Sequence, residues 1–190
     1  MKEYDADIQT ACKIMRDGGI ILYPTDTIWG IGCDASNSDA VRNIFQLKQR
    51  SDSKSMLVLI DSSAKLNYYV PEVPDVAYDM MELSEKPITI IYDAARRVAP
   101  ELIAEDGSLG IRVTKEPFSQ DLCRAFKGAI VSTSANVSGE LSPQNFSEIS
   151  KHIIDNVDYV VKYRQIEVGV SHPSSIIKLG AGGLFKIIRE

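Results

Sequence analysis

The sequence predicts an α/β layer fold built on a mixed sheet, and three observations carry that expectation. Short apolar runs alternate with amphipathic helical runs through both halves of the chain. The last two apolar runs flank Gly180-Ala181-Gly182-Gly183, a hairpin signal that requires an antiparallel pair in the sheet. Hydrophobic residues make up 44% and charged residues 25% of the 190 residues, a globular balance that excludes disordered, collagen-like and coiled-coil chains. A chain of this length hides roughly 70% of its unfolded surface, enough for a real core. With no repeat, low-complexity tract or linker in view, residues 1–190 are expected to form one domain.

Each element has a local reason. Ile8, Ala11, Cys12 and Met15 fall on one helical face, so Ala6 to Arg16 is predicted helical, stopped by Gly18-Gly19. Ile20 to Tyr23 is a short apolar strand running into Pro24-Thr25-Asp26-Thr27. Ser38 or Asp39 can cap a second helix with Val41, Ile44, Phe45 and Lys48 along one side. Met56 to Ile60 and Pro87 to Tyr92 read as strands on either side of a helix over Asp75 to Leu83. The second half repeats the alternation, with strands at 109–113, 129–132 and 158–162 and helices at 118–126 and 147–154. Ser174 to Lys178 and Leu184 to Arg189 close the chain as the hairpin.

Composition also narrows function. Twenty-one Lys and Arg against 26 Asp and Glu leave a net charge of −5, so no general basic coat exists to track a nucleic-acid backbone. Cys12, Cys33 and Cys123 are widely spaced with no CxxC pair, which argues against a disulfide framework or structural zinc and for buried thiols in a reducing compartment. The polar, acidic N-terminus is no signal peptide, and no apolar run is long enough to span a bilayer; a cytoplasmic protein is expected.

Two glycine patterns imitate nucleotide-binding loops, Gly30 to Ala35 and the Gly180 to Gly183 turn, and the second leaves no room for the required helix. Gly30-Ile31-Gly32-Cys33-Asp34-Ala35 matches a permissive dinucleotide fingerprint, but no helix pattern opens behind it, and GxxxxGK[ST] is absent. Ser51-Asp52-Ser53-Lys54, Ser134-Ala135-Asn136 and Lys178-Leu179-Gly180 imitate the boxes of penicillin-recognising serine enzymes, although Ser51 follows a helix where the nucleophile should open one. More informative are Lys48, Arg50 and Lys54, three cations within seven residues of an acidic protein. They can either complement the negative end of a helix dipole or grip a di- or triphosphate. Ser132-Thr133-Ser134-Ala135-Asn136 and Pro24-Thr25-Asp26-Thr27 each follow a strand, where open α/β sheets present ligand contacts and where hydroxyl and amide side chains also simply make turns. His152 is expected on a solvent-facing helix and His172 in a turn; neither has metal-ligand spacing, and no Ser-His-Asp or Cys-His set for covalent catalysis is present.

Taken in order, these stretches resemble the YrdC-like family of L-threonylcarbamoyl-AMP synthases in its short, single-domain form. The resemblance runs from Gly19 through the Pro24-Thr25-Asp26-Thr27 and Gly30-Ile31-Gly32 segments, over Lys48-Gln49-Arg50, Gly110-Ile111-Arg112-Val113 and Ser132 to Gly139, to the strands at Ser174-Ser175-Ile176-Ile177 and Ile187-Ile188-Arg189. It implies a twisted mixed parallel and antiparallel sheet with flanking helices around a concave cavity. It further implies a nucleotidyltransferase joining L-threonine, bicarbonate or CO2, and ATP, with Mg²⁺, into threonylcarbamoyl-AMP and pyrophosphate. That product serves the N6-threonylcarbamoyl modification of adenosine 37 in tRNA through a downstream threonylcarbamoyl transferase; a weak tRNA contact is a further expectation.

Residue by residue, the resemblance implies ATP contacts at Lys48, Arg50, Lys54, Ser108, Ser134, Asn136, Ser142 and Arg189, with Lys48 and Arg50 stabilising phosphoryl charge. It implies threonine contacts at Thr27, Arg112, Ser132 and Ser175, and no protein metal ligand. The chain departs from the family pattern at Asp26, Trp29, Ser51, Ser55-Met56, Leu59, Thr114 and Lys178. The alternative is a YrdC-like paralogue that binds nucleotide or RNA without threonine-dependent turnover.

Overall fold

The computed structural model describes residues 2–49, 56–169, 173–180 and 184–190. Nine strands form one sheet: β1 (Ile21–Tyr23), β2 (Gly30–Gly32), β3 (Leu57–Ile60), β4 (Ile88–Tyr92), β5 (Leu109–Val113), β6 (Ile130–Ser134), β7 (Tyr159–Val160), β8 (Ser175–Leu179) and β9 (Phe185–Arg189). Their order is β7-β1-β2-β6-β3-β5-β4-β8-β9. The pairs β1–β7, β3–β5 and β4–β8 are parallel, and the others are antiparallel, including the terminal β8–β9 hairpin. The mixed sheet and flanking helices are as the sequence predicts. The turn glycines 181–183 lie outside the described residues.

The helices are α1 (Asp5–Arg16), α2 (Ser38–Leu47), α3 (Leu66–Tyr69), α4 (Asp75–Leu83), α5 (Pro117–Phe126) and α6 (Lys151–Asp155). In α1, Asp5 and Asp7 occupy the first turn and Lys13 and Arg16 the last, complementing the helix dipole. Helices α1 and α5 pack on each other, α1 against β1 and β7, and α5 against β3. Tyr23, Leu22, Ile31, Ile44, Leu59 and Phe118 are fully buried in the resulting core, and Cys12, Cys33 and Cys123 are buried free thiols within it. Burial pushes the Cys33 and Cys123 thiols far above their ordinary range, so these groups are inert packing.

Four local expectations need correction. The cap of α2 is Asn37, whose side chain accepts from Ala40 N at 3.0 Å; Asn37 is extended, whereas Ser38 is already helical. Strand β2 forms where no strand was expected. Gly32 is required by crowding, since a Cβ there would lie 2.5 Å from the Val131 carbonyl and 2.6 Å from the Tyr23 ring. The Gly-x-Gly sequence is therefore the middle of a sheet, not a phosphate-binding turn. The helix expected at 147–154 splits into a 3-10 turn at Phe146–Glu148 and α6, because Ile149 is extended and Ser150 caps afresh at 3.4 Å. Residues 63–69, unassigned from sequence, form a 3-10 turn running into α3.

Side-chain alternation divides the sheet. Thr89, Ile91, Gly110, Arg112, Ser132, Ser134 and Ile176 line cavities, while the intervening Ile90, Ile111 and Val131 are buried in the core.

Candidate active site

The loop between β1 and β2 is shaped by its own hydroxyls. Thr25 Oγ1 donates to the Ile28 carbonyl at 2.8 Å and accepts from Thr27 N at 3.1 Å, and the two threonine hydroxyls lie 3.0 Å apart. This turn aims Asp26 and Thr27 at Arg112 of β5. The Arg112 guanidinium donates from Nη1 to Asp26 Oδ1 at 2.5 Å and Thr27 Oγ1 at 3.0 Å, and from Nε to Thr89 Oγ1 at 3.2 Å. Arg112 is 4% exposed, so its charge is held in a nearly dry place and has a fixed direction.

The network continues into the C-terminal hairpin. Thr89 and Ser174 share a hydroxyl contact of 2.9 Å, and the Ser174 carbonyl accepts from Arg189 Nε at 3.0 Å and Nη2 at 2.8 Å. Arg189 is held below its ordinary pKa, first by burial and then by the neighbouring Arg112 charge. Two guanidinium groups thus face one cavity of about 240 Å³, lined also by Thr27, Trp29, Ser132, Ser134, Ser142 and Ser174. Such a lining binds anions with directional hydrogen bonds.

Beside it, and sharing Leu57 and Ile176, a groove of about 670 Å³ has Ile91, Leu102, Gly110 and Ile188 as an apolar floor. Its polar rim is Asp106 and Ser108. Ser108 Oγ donates to Asp106 Oδ1 at 2.6 Å, and Lys178 pairs with Asp106 Oδ2 at 2.5 Å. The Lys178 ammonium and the Ser108 donors hold the Asp106 carboxyl well below the usual carboxylate range.

Lys48, at the end of α2, is 2% exposed. Its ammonium donates to the carbonyls of Ser134 and of Asn136, the latter at 2.7 Å, and its own carbonyl accepts from Ser138 N at 2.9 Å. The lysine therefore clamps the loop that follows β6. Within that loop, Asn136 Nδ2 donates to Val137 O and Glu140 O, while Asn136 Oδ1 is buried with no partner among the described residues.

Six of the residues named from sequence, Thr27, Arg112, Ser132, Ser134, Ser142 and Arg189, line the 240 Å³ cavity, and Ser108 lines the adjoining groove. Lys48, at the end of α2, and Asn136, in the loop beyond Ser134, are joined by a hydrogen bond and do not line that cavity. Arg50 and Lys54, together with Ser51 and His172, lie outside the described residues. Ser175 lines neither cavity; alternation along β8 turns Ser174 toward the site and Ser175 away, to the side of Ile177 and the buried Leu179. His152 is exposed on α6. Thr89 and Ser174 are site residues that sequence reading did not name, the doubled serine at 174–175 being the one signal; Asp26 lay in the Pro24–Thr27 segment but not as the partner of Arg112. Among the described residues, no group of three His, Cys, Asp or Glu side chains could hold a metal ion, and no helix is long and apolar enough to cross a membrane.

Fold and site together define an α/β protein with a sheet-floored groove whose cations and hydroxyls suit small anionic ligands. The Sua5/YciO/YrdC family model, described as telomere recombination, matches residues 13–190, and the chain belongs to that family. A threonylcarbamoyl-AMP synthase from Stenotrophomonas maltophilia (strain K279a) is 34% identical over 165 residues, covering 85% of this chain and 87% of that protein. The crystal structure of E. coli YciO superposes with a TM-score of 0.84 at 25% identity, over 97% of this chain and 89% of that one. P. abyssi Sua5, crystallised with L-threonine, shares the fold at a TM-score of 0.82 and 22% identity; this chain spans 52% of its length.

Proposed function

We propose that this protein is a threonylcarbamoyl-AMP synthase. The observation that carries the reading is the pair of guanidinium groups, Arg112 and Arg189, facing one hydroxyl-lined cavity that opens into an apolar groove, in a chain 34% identical to a synthase of that name. The groove, with its apolar floor and Ser108 rim, suits the adenosine; Arg189, Ser134 and Ser142 suit the phosphates at the junction. The amino-acid carboxylate suits Arg112, with Thr27 and Ser132 beside it. Ser175, expected at the threonine site, gives way in this reading to Ser174.

In this reaction the threonine amine adds to CO2, from bicarbonate, to give a carbamate. A carbamate oxygen then attacks the α-phosphorus of ATP, and the bond to the bridging oxygen of the β-phosphate breaks, releasing pyrophosphate. No protein nucleophile takes part. The chain's contribution is to align the two anions against their repulsion and to stabilise charge that grows on the leaving group. Arg189 does this directly. Lys48 acts through the Ser134–Asn136 loop that it clamps, and Arg50 and Lys54, next in sequence, supply further cations. Mg²⁺ would arrive on the nucleotide phosphates, since the described residues build no acidic site for it.

In the same proposal residues 1–190 act as one domain, supported by the single nine-stranded sheet. The setting is the cytoplasm, the product passes to a threonylcarbamoyl transferase acting on tRNA, and any direct tRNA contact is weak, given the net charge of −5. A second reading, nucleotide binding without threonine-dependent turnover, is favoured by one observation: Asp26 already pairs with the guanidinium assigned to the amino acid. Pyrophosphate release from ATP and Mg²⁺, with threonine and bicarbonate each present or omitted, separates them. Release requiring both substrates is the expected result; release indifferent to threonine, or none from folded protein, would leave the second reading standing.

A further inference from the structure

A second cavity, of about 640 Å³, shares no lining residue with the site described above. It lies where α3, the ends of α1 and α5, and the turn at 34–36 meet the loop carrying Arg97. Its chemistry is unusual for this acidic chain. Arg16, Arg97 and Lys127 line it, and none of the three has a carboxylate partner among the described residues. Lys65, the remaining cation, is paired with Asp61 at 2.6 Å. The single carboxylate in the lining, Asp34, has an oxygen turned back onto Ser36 N and Oγ at 2.8 and 2.7 Å.

Aromatic surface accompanies the charge. Tyr68 is 52% exposed, and the Arg97 guanidinium carbon sits 4.2 Å from the centroid of its ring. That placement is built rather than incidental. Arg96 N donates to Tyr69 O at 2.8 Å and Arg96 Nη2 to Asn67 O at 2.8 Å, tying the Arg97 loop to α3. Arg97 and Lys127 both hold left-handed backbone, with φ of 61° and 64°, a conformation that disfavours any residue with a β-carbon.

We propose that this cavity is a binding site for a nucleoside phosphate, with the phosphate taken by Arg16, Arg97 and Lys127 and the base stacked on Tyr68. Cations without a carboxylate partner beside an exposed ring match both halves of such a ligand, with Arg16 braced by the Ala125 carbonyl at 3.1 Å and by the Phe126 ring, and Arg97 by one face of Tyr68. The source is either a free nucleotide or one nucleotide of an RNA strand.

The test uses the whole protein with AMP as probe. Equilibrium dialysis counts bound AMP, while emission is read from Trp29, the chain's one tryptophan, which lines the 240 Å³ cavity and a smaller neighbour but not the proposed site. The expected result is a dialysis site that Arg97→Gln with Lys127→Gln weakens at least tenfold while the Trp29 titration is unchanged. Tyr68→Ala, an exposed substitution that removes no charge, is expected to weaken the same site by a similar factor. Equal dialysis curves for wild type and folded variants would overturn the proposal, as would inorganic phosphate displacing AMP with equal affinity, which would mean that the ring contributes nothing. Displacement by an unstructured oligoribonucleotide more tightly than by AMP assigns the site to RNA, and weaker displacement to free nucleotide. Should the Trp29 cavity bind no AMP, the second site is still counted by dialysis, so failure of the synthase reading and failure of this one are separate results.

Discussion

Arg112 is the residue on which the site's geometry depends, and its burial makes the dependence measurable. A guanidinium 4% exposed is tolerable because Asp26 neutralises it, Thr27 accepts beside Asp26 from Nη1, and Thr89 accepts from Nε. Breaking a buried ion pair from one side leaves an uncompensated charge, at about 3–5 kcal/mol. Asp26→Ala should therefore lower the urea midpoint of unfolding by that equivalent with the m-value unchanged, and a loss below about 1 kcal/mol would mean that water reaches the guanidinium after all. Lys48 shows the complementary case. Its ammonium donates to the carbonyls of Ser134 and Asn136, so the charge also holds the geometry of the loop after β6.

At the scale of elements, β2 fits between its neighbours only with glycine at position 32. Gly32→Ala would drive a Cβ into the Val131 carbonyl and the Tyr23 ring, both fixed in the sheet, whereas Gly139→Ala, at φ of 88°, meets nothing within 4 Å. The expected result is about 1 kcal/mol lost at Gly139 from backbone strain alone, and several times that, or failure to fold, at Gly32. Thermal melts of the two variants check the order. The same strand explains where sequence reading stopped. Helices α1 and α4 were legible because their apolar spacing is local, but a three-residue strand with two glycines has no periodicity of its own and is defined by its partners, β1 on one side and β6, a hundred residues away, on the other. Site residues follow the same division. Thr27, Arg112, Ser132 and Ser134 sit in recognisable motifs, whereas Asp26 and Thr89 matter through contacts 86 and 23 residues distant in the chain. The Ser174–Ser175 choice turned on strand phase, which adjacent serines cannot reveal.

The edge strand β7 gives a pH-dependent case at the same scale. Asp7 of α1 accepts from Tyr159 Oη at 2.5 Å, Lys162 N at 3.1 Å and Tyr163 N at 2.9 Å, pinning β7 to the helix. Burial, and then the Asp7 carboxylate, push the Tyr159 phenol up to about 12. A raised phenol favours the protonated folded state, so its contribution is complete below pH 10 and is lost as pH rises from 10 through 12. Melting temperatures across that window should fall more steeply for wild type than for Tyr159→Phe. Parallel curves would show that the phenol is not coupled to folding.

On the scale of the whole molecule, the binding cavity is a consequence of curvature. It is lined by Gly30 of β2 and by Arg189 of β9, six strand steps apart in the sheet, which in a flat sheet would separate them by about 29 Å. A 240 Å³ cavity cannot span that distance, so the sheet must curl into a trough whose two ends approach over the β4–β5–β3 floor. Strand β9 is exposed along its whole length and adds little core, yet it delivers the second guanidinium. Stability and binding are thereby separated: the first belongs to β1–β6 and the helices, the second needs β9. Arg189→Ala should leave the melting temperature of the unliganded protein within a few degrees of wild type while raising the KM for ATP at least tenfold. A ligand at a hundred times its Kd adds about 2.7 kcal/mol to the folded state, so saturating ATP should raise the wild-type melting temperature clearly and that of the variant, at the same concentration, by much less. Equal shifts in the two proteins would mean that the trough closes on the nucleotide without its last strand.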